Sequence, residues 1–375
     1  MSTNYLASAM SRIDSSEIRR VFALAASLKN PINLSIGQPH FATPPNIIAA
    51  MDKAARDGHT SYTQTNGIQP LREAMAARYH QTNGFDSDPG QILISSGVAA
   101  LIHLFMLAAI NPGDRILITD PCFLIYRSML NFAGAVVEVI PENFDRDTVA
   151  AMQDQKYKFI IYCSPSNPSG YVMRREQIEW LGQLADACGA ILVADEIYEL
   201  FDYENRFVSA GSVYPRSLVF SGFSKSWNMT GLRLAAVATP RGSGDTWQII
   251  QAMTTLQQYT FVCAPAPVQW AGIEALRTDI SDYVNQYRRN RDRCVHMLRG
   301  SYTIDLEPGG AFYLFPRLPA GRTDREFVEA AIQQKELLVV PGRIFTSQND
   351  RIRISYAAEE DILERGLQAL VELAA

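Results

Sequence analysis

The sequence predicts an α/β fold: a large domain with a mainly parallel seven-stranded sheet flanked by helices, and a smaller α+β domain beside it. Three observations carry that expectation. Seven apolar runs of strand length recur, at 92–94, 115–119, 136–140, 159–163, 191–194, 218–220 and 234–238. Helical stretches at 99–110, 123–132 and 175–188 separate several of them, and continuously apolar strands alternating with helices indicate a parallel sheet covered on both faces. From 282 onward the pattern changes to one long helix, short strands and a closing helix.

Residues 16–28 read as a helix, and 32–36 as an apolar run ending at Gly37-Gln38-Pro39. Asn46 is placed to cap a helix with Ile47, Ile48, Met51, Ala54 and Ala55 on one face and a stop at Gly58. A polar loop at 62–67 precedes a second helix from Pro70, a residue that suits a first helical turn. Beyond the central array, 282–299 forms a helix with an arginine-rich outer face, and 312–315, 337–340 and 352–355 are short strands. Ile362, Leu363, Leu367 and Leu370 mark the stripe of an amphipathic closing helix. The expected division is a large domain over 46–284 and a small one made of 1–45 and 285–375.

Composition excludes several classes. At 375 residues and 47% hydrophobic content the chain can bury two cores. A net charge of -5 argues against nucleic acid or an anionic membrane as partner. The first ten residues lack the basic segment and apolar core of a signal peptide. The longest apolar run, 98–110, contains His103 and is too short to cross a bilayer. Cys122, Cys163, Cys188, Cys263 and Cys294 are scattered and form no C-x-x-C, which fits a reducing, cytoplasmic location. No metal-ligand spacing occurs, so no metal is expected. The glycine fingerprints for mononucleotides and dinucleotides are absent too, which disfavours a nicotinamide dehydrogenase.

One stretch, Ser221-Gly222-Phe223-Ser224-Lys225-Ser226-Trp227-Asn228-Met229-Thr230-Gly231-Leu232-Arg233, lies between two apolar runs. Lys225 therefore sits in a small-residue loop held by rigid strands, either as a surface cation or as an amine available to a carbonyl. Three other stretches bear on the choice. Ser95-Ser96-Gly97-Val98-Ala99-Ala100 joins a strand to a helix, where free N–H groups approached over a glycine form an anion site; alone it is equally an ordinary helix start. In Ser164-Pro165-Ser166-Asn167-Pro168-Ser169-Gly170, prolines flank Asn167 and hold its amide at the carboxyl end of a strand, where open α/β sheets bind ligands; a rigid turn is the plain alternative. Asp195 ends the apolar run in Ala194-Asp195-Glu196-Ile197-Tyr198, where a carboxylate needs a positive partner, and Tyr198 can reach the same ligand; a structural ion pair is the plain alternative. Together these pieces describe a site for an aromatic aldehyde phosphate. The lysine supplies an imine, the helix start and Arg233 hold the phosphate, Asp195 faces a pyridinium nitrogen, and Asn167 and Tyr198 reach the phenolic oxygen.

On these motifs the chain resembles the fold-type I, pyridoxal-phosphate-dependent aminotransferases of class I, in the branch of bacterial and archaeal aspartate and aromatic aminotransferases. The similarity runs from Ser16-Glu17-Ile18-Arg19-Arg20 to Ile352-Arg353-Ile354-Ser355-Tyr356-Ala357. It implies pyridoxal 5′-phosphate as cofactor and a Schiff base on Lys225, whose freed amine moves a proton between the substrate and the cofactor. Asp195 would keep the pyridine nitrogen protonated, with Asn167 and Tyr198 on the phenolate oxygen. Phe123 matches a ring-stacking aromatic, or is simply a core phenylalanine. The amides of Val98 and Ala99, with Arg233 and Ser224, would hold the phosphate. Tyr62 matches a tyrosine that reaches the phosphate from the partner subunit, implying a homodimer with shared active sites. Arg353 matches the arginine whose planar fork grips the α-carboxylate, with the amide of Gly37 on the same group. Tyr126 either lines the pocket or packs.

The implied reaction moves an amino group between an L-amino acid (aromatic, aspartate or broad range) and a 2-oxo acid such as 2-oxoglutarate. A lyase, synthase or oxidase using the same site is the alternative, and a non-catalytic regulatory protein on this fold a more distant one. Four positions depart from the family pattern. Gly222 stands where many relatives have a phosphate-binding hydroxyl, so Ser221 or Ser224 is expected to substitute. Gln38 and His40 stand where acidic residues are common, and Leu232 replaces a frequent tryptophan.

Overall fold

The structure is a computed structural model that describes residues 5–13, 20, 21, 23, 24, 26 and 28–374. The helix expected at 16–28 falls largely outside the described residues. The strands, in chain order, are β1 (Ile32–Asn33), β2 (Leu93–Ser95), β3 (Arg115–Asp120), β4 (Val136–Pro141), β5 (Phe159–Cys163) and β6 (Ile191–Asp195). They continue with β7 (Ser217–Gly222), β8 (Ala235–Ala238), β9 (Tyr313–Leu314), β10 (Leu337–Leu338), β11 (Val340–Pro341) and β12 (Ile352–Ser355).

The seven runs read from the sequence form one sheet in the order β2-β8-β7-β6-β5-β3-β4. β7, β6, β5, β3 and β4 pair in parallel, and β8 alone runs antiparallel to its neighbours β7 and β2. The runs are apolar throughout because both faces are covered. Ile116, Ile118, Ile161 and Val193 enter one buried cluster, while the residues between them, Leu117, Ile160 and Leu192, enter a second on the opposite face. The helices Val98–Ala109 and Ser281–Leu298 contribute to the first cluster, and Arg175–Cys188 to the second.

The C-terminal elements build two small sheets. β1 pairs in parallel with β10, and β11-β12-β9 form an antiparallel sheet. The helix Glu360–Ala374 buries Leu363, Leu367 and Leu370, as its stripe predicts, and packs on Ser281–Leu298.

Several expectations are corrected. The run 32–36 yields a strand of only two residues. Beyond Asn33, the Ser35 N–H donates to the Asn33 side chain and the Ser35 carbonyl accepts from Arg353, which turns the chain into a cavity and leaves Ile36 52% exposed. Asn46 is not a cap. Its helix starts at Pro45 behind Pro44, and the Asn46 amide instead donates to Glu274 (2.9 Å) and Thr278 (2.8 Å). On that helix Ile47 and Ala54 are buried, while Ile48 and Ala55 face outward. The stretch 337–340 makes two strands in different sheets instead of one. On Ser281–Leu298, Arg288 and Arg289 are exposed as expected, but Arg291 is buried, donating to Glu204 and the Pro308 carbonyl, both at 2.8 Å.

Two helices, Gly244–Thr260 and Ala266–Ala275, lie where the sequence pattern names no element. Their buried faces carry Thr246, Gln257 and Gln269 among small apolar residues, which erases the usual periodicity. Those polar residues have work to do. Gln257 donates to the Thr65 carbonyl at 2.5 Å, and the Gln269 side chain bonds the Ile68 amide (2.8 Å) and the Thr63 hydroxyl (3.1 Å), fixing the loop at 62–67.

Truncating Leu370, fully buried in the closing helix, is expected to cost about 2–5 kcal/mol in Leu370→Ala. Ile362→Ala, at the half-buried edge of the same stripe, is expected to cost less. Urea denaturation of both variants at one pH checks the ranking.

Candidate active site

A cavity of about 820 Å³ opens at the carboxyl ends of β5 and β6, with walls from the segments after β2 and β7 and from the C-terminal elements. Of the residues expected to act in catalysis or to hold cofactor or substrate, all line it except Tyr62.

Lys225 reaches it from the one-turn helix Phe223–Ser226, directly after β7. Its Nζ donates to the Gly37 carbonyl at 2.5 Å and lies 6.0 Å from the Tyr198 ring centroid. Burial, then the cations Arg353 and Arg233, pull its pKa down to about 8 against the opposing pull of Asp195. A neutral amine is therefore accessible close to physiological pH.

Asp195 ends β6 as a buried carboxylate. Its Oδ2 accepts from the Tyr126 hydroxyl at 2.5 Å and Oδ1 from the Ile197 amide at 3.2 Å. Burial pushes its pKa up to about 6, offset in part by these two donors and by Lys225. Of the two roles left open for Tyr126, it takes neither simply: it is buried behind the cavity and holds Asp195.

The helix Val98–Ala109 opens at Gly97, whose φ of +92° suits glycine. Its first intrahelical bond runs from the Ala100 N–H to the Gly97 carbonyl at 3.0 Å, so the Val98 and Ala99 amides precede the ladder. The Arg233 guanidinium packs over Gly97, where a Cβ would lie 2.8 Å from Cζ, and its Nη1 donates to the Thr230 carbonyl at 2.7 Å. Amides, a cation and a glycine thus converge on one end of the cavity. Of the two expected substitutes for the missing hydroxyl at 222, Ser224 lines the cavity and Ser221 is buried away from it. At Gly222 a Cβ would meet Ile197 Cγ1 at 2.6 Å and Val98 Cγ2 at 3.1 Å, so that space is already filled.

Arg353, 7% exposed, lies against the rings of Tyr313 (4.7 Å) and Phe345 (4.9 Å). Its Nη2 donates to the Ser35 carbonyl at 2.6 Å and Nη1 to Asn167 Oδ1 at 3.1 Å, while buried Nε has no partner among the described residues. The Tyr198 hydroxyl is 2.8 Å from that of Tyr313. Phe123 lines the cavity edge-on to Tyr126, with centroids 5.9 Å apart.

Tyr313 and Phe345 escaped the sequence reading. Gly309-Gly310 ahead of Ala311-Phe312-Tyr313 was a usable signal, since a double glycine before aromatics allows a close approach: a Cβ at Gly310 would lie 2.8 Å from Pro165. Tyr62 is 83% exposed on its pinned loop, outside the cavity of its own chain. Neither Gln38 nor His40 lines the cavity. His40 shares a hydrogen bond with the Tyr287 hydroxyl (3.0 Å), and Leu232 packs partly buried against the second core cluster. All five cysteines are free, and among the described residues no group of side chains could hold a metal ion and no helix is long and apolar enough to cross a membrane.

The chain is similar to known proteins over nearly its whole length. The family described as aminotransferase class I and II matches residues 29–370. The aspartate aminotransferase of Pyrococcus abyssi is 32% identical, over 96% of this chain and 95% of its own. The aromatic-amino-acid aminotransferase 2 of Thermococcus litoralis is 30% identical over 97% of each. Among solved structures, the aspartate aminotransferase of Thermotoga maritima superposes with a TM-score of 0.90 at 27% identity, covering 98% of this chain and 99% of the other.

The buried carboxylate makes a stability prediction. Because folding raises the Asp195 pKa from 3.8 to about 6, the folded chain keeps that proton to higher pH, and stability falls as pH rises from about 4 to about 6. The loss, on the order of 3 kcal/mol, persists above that window. Without ligand, Asp195→Asn is therefore expected to be more stable than the wild type at pH 7.5 and to match it near pH 4, as read by urea denaturation at both pH values.

Proposed function

The chain belongs to the family of class I and II aminotransferases, and we propose that its cavity binds pyridoxal 5′-phosphate and moves an amino group between an L-amino acid and a 2-oxo acid such as 2-oxoglutarate. The observation that carries this is the meeting of a depressed lysine amine, a buried carboxylate and an amide-plus-arginine cradle in one cavity. Family membership favours transamination over the lyase, synthase or oxidase chemistry. The relatives named above act in name on aspartate and on aromatic amino acids, and the amino donor is drawn from those classes or spans both.

The residues fit the cofactor. The Val98 and Ala99 amides at a glycine-opened helix start, with Arg233 and Ser224, suit a phosphate dianion. Asp195 is ionised above about pH 6, which suits a pyridinium nitrogen. Asn167 and Tyr198 offer hydrogen bonds to a phenolic oxygen, and Phe123 an aromatic edge or face to a ring. When bound, the cofactor supplies an aldehyde for amine condensation and a ring that accepts electrons from the substrate α-carbon.

The chain's own groups then divide the work. Lys225 Nζ, neutral in part near pH 8, takes and returns the α-proton. Arg353 and the Gly37 amide bind the α-carboxylate, with Tyr313 and Phe345 keeping the guanidinium flat and water away. Tyr62, exposed on a loop that Gln257 and Gln269 pin at Thr65 and Thr63, serves the cavity of a second copy, making the active unit a homodimer. The large and small domains divide near residue 284, and the enzyme works in the cytoplasm.

Four outcomes test this reading. The purified protein is expected to show a visible absorption band that an amino acid removes and a 2-oxo acid restores; no band with added cofactor would refute the site. Lys225→Ala is expected to abolish turnover with the fold intact by circular dichroism. Arg353→Ala is expected to raise the amino-acid KM by about 100-fold while cofactor affinity changes little. In a mixture of inactive Tyr62→Ala and Lys225→Ala chains, hybrid dimers are expected to regain one working site. Absence of such complementation would overturn the shared-site dimer.

A further inference from the structure

Glu142 follows directly after β4, only 3% exposed, and does not line the cavity. Its two carboxyl oxygens are shared between two serines. The Ser166 hydroxyl donates to Oε1, and the Ser169 hydroxyl to Oε2 at 2.5 Å. Both serines are 1% exposed, and between them lie Asn167 and Pro168. Asn167 is the residue of this loop that faces the cavity, and its Oδ1 accepts from Arg353 at 3.1 Å.

The clamp is itself anchored. Gln177, fully buried, donates to the Glu142 and Phe144 carbonyls at 3.1 and 3.0 Å and accepts from the Tyr171 hydroxyl at 2.8 Å. Tyr171 in turn accepts the Ser166 amide on its carbonyl at 2.9 Å. A rigid turn does not require a buried acid, which is costly to desolvate, so its presence at both ends of a two-residue span calls for a role.

We propose that Glu142 is a positioning residue for Asn167 and, through Asn167, for Arg353: its carboxyl ties the serines on both sides of that amide and so sets the guanidinium that receives the substrate carboxylate. The inference rests on the reading of the cavity as an aminotransferase site.

Protonation supports it. Burial, then the like charge of Asp120, push the Glu142 carboxyl up to about 8, with the two serine hydroxyls opposing. Asp120 is itself tied to Arg127 at 2.9 Å and Thr346 at 2.7 Å. Cys122, Cys163 and Tyr171, the other titratable groups facing Glu142, are all raised by burial and neutral at physiological pH. Glu142 is therefore a neutral acid near pH 7, accepting from one serine and, once the other hydroxyl turns to receive its proton, donating to that one. A primary amide has the same pair of capacities.

The test uses the full holoenzyme. Glu142→Ala is expected to raise the amino-acid KM about tenfold or more, with a smaller change in kcat, and to weaken by a similar factor the calorimetric affinity for an unreactive carboxylic-acid analogue of the substrate. Glu142→Gln is expected to restore both near pH 7. If Glu142→Ala does not fold, the double variant Ser166→Ala/Ser169→Ala is expected to show the same KM and affinity losses. An unchanged KM in the truncated variant, or a glutamine variant as impaired as the alanine one, overturns the proposal. A wild type without any transaminase activity would instead overturn the functional reading beneath it.

Discussion

Burial of ionisable groups at the carboxyl edge of a parallel sheet is the constraint on which the rest depends. β5, β6 and β7 run in parallel, so the segments after all three emerge at one edge, and Asn167, Asp195 and Lys225 follow from that direction alone. An amine, a carboxylate and a guanidinium removed from water are each unfavourable, and their mutual influence decides their states. Burial, then Arg353 and Arg233, depress Lys225, while burial raises Asp195 and the Tyr126 hydroxyl partly restrains it. The result is an amine neutral in part near pH 8 and a carboxylate charged above about pH 6. That combination exists only because the surrounding sheet is rigid enough to hold it.

The sheet was legible because its strands are covered on both faces, so apolar runs stand out without any need to read alternation. The charged centre was legible for a related reason: Asp195 and Lys225 interrupt or end apolar runs where a charge is costly. What the sequence hid are groups whose chemistry is ordinary and whose position is not. Tyr313 reads as one aromatic in a strand, yet its hydroxyl meets Tyr198 and its ring lies against Arg353. Gln257 and Gln269 lie in segments where no apolar stripe stands out, yet they are fully buried and pin the loop that carries Tyr62. Glu142, an acid just past an apolar run, is enclosed. In each case the deciding partner lies at least 24 residues away in sequence, beyond the reach of local pattern.

A second layer of polar residues thus does for the loops what the sheet does for the strands. Gln177 braces the segment around Glu142, and Glu196, buried beside Asp195 in sequence, accepts from the Ala210 amide at 2.8 Å and the Ser209 hydroxyl at 3.1 Å. These contacts stabilise little beyond what their desolvation costs. Their effect is to remove alternatives for the backbone that carries the site.

The departure at Gly222 shows how such a site tolerates change. A hydroxyl side chain there would collide with Ile197 and Val98, so its absence cannot be repaired by simple substitution; the neighbouring packing has closed over the position. Ile197 follows Asp195 by two residues, and its amide donates to Asp195 Oδ1, so moving Ile197 aside to admit a hydroxyl would disturb the carboxylate as well. The anion end of the cavity relies instead on main-chain amides, on Arg233 and on Ser224. Amides at a helix start are fixed by the helix itself and lose no side-chain entropy on binding, so a cradle built on them can lose one hydroxyl and still recognise a dianion.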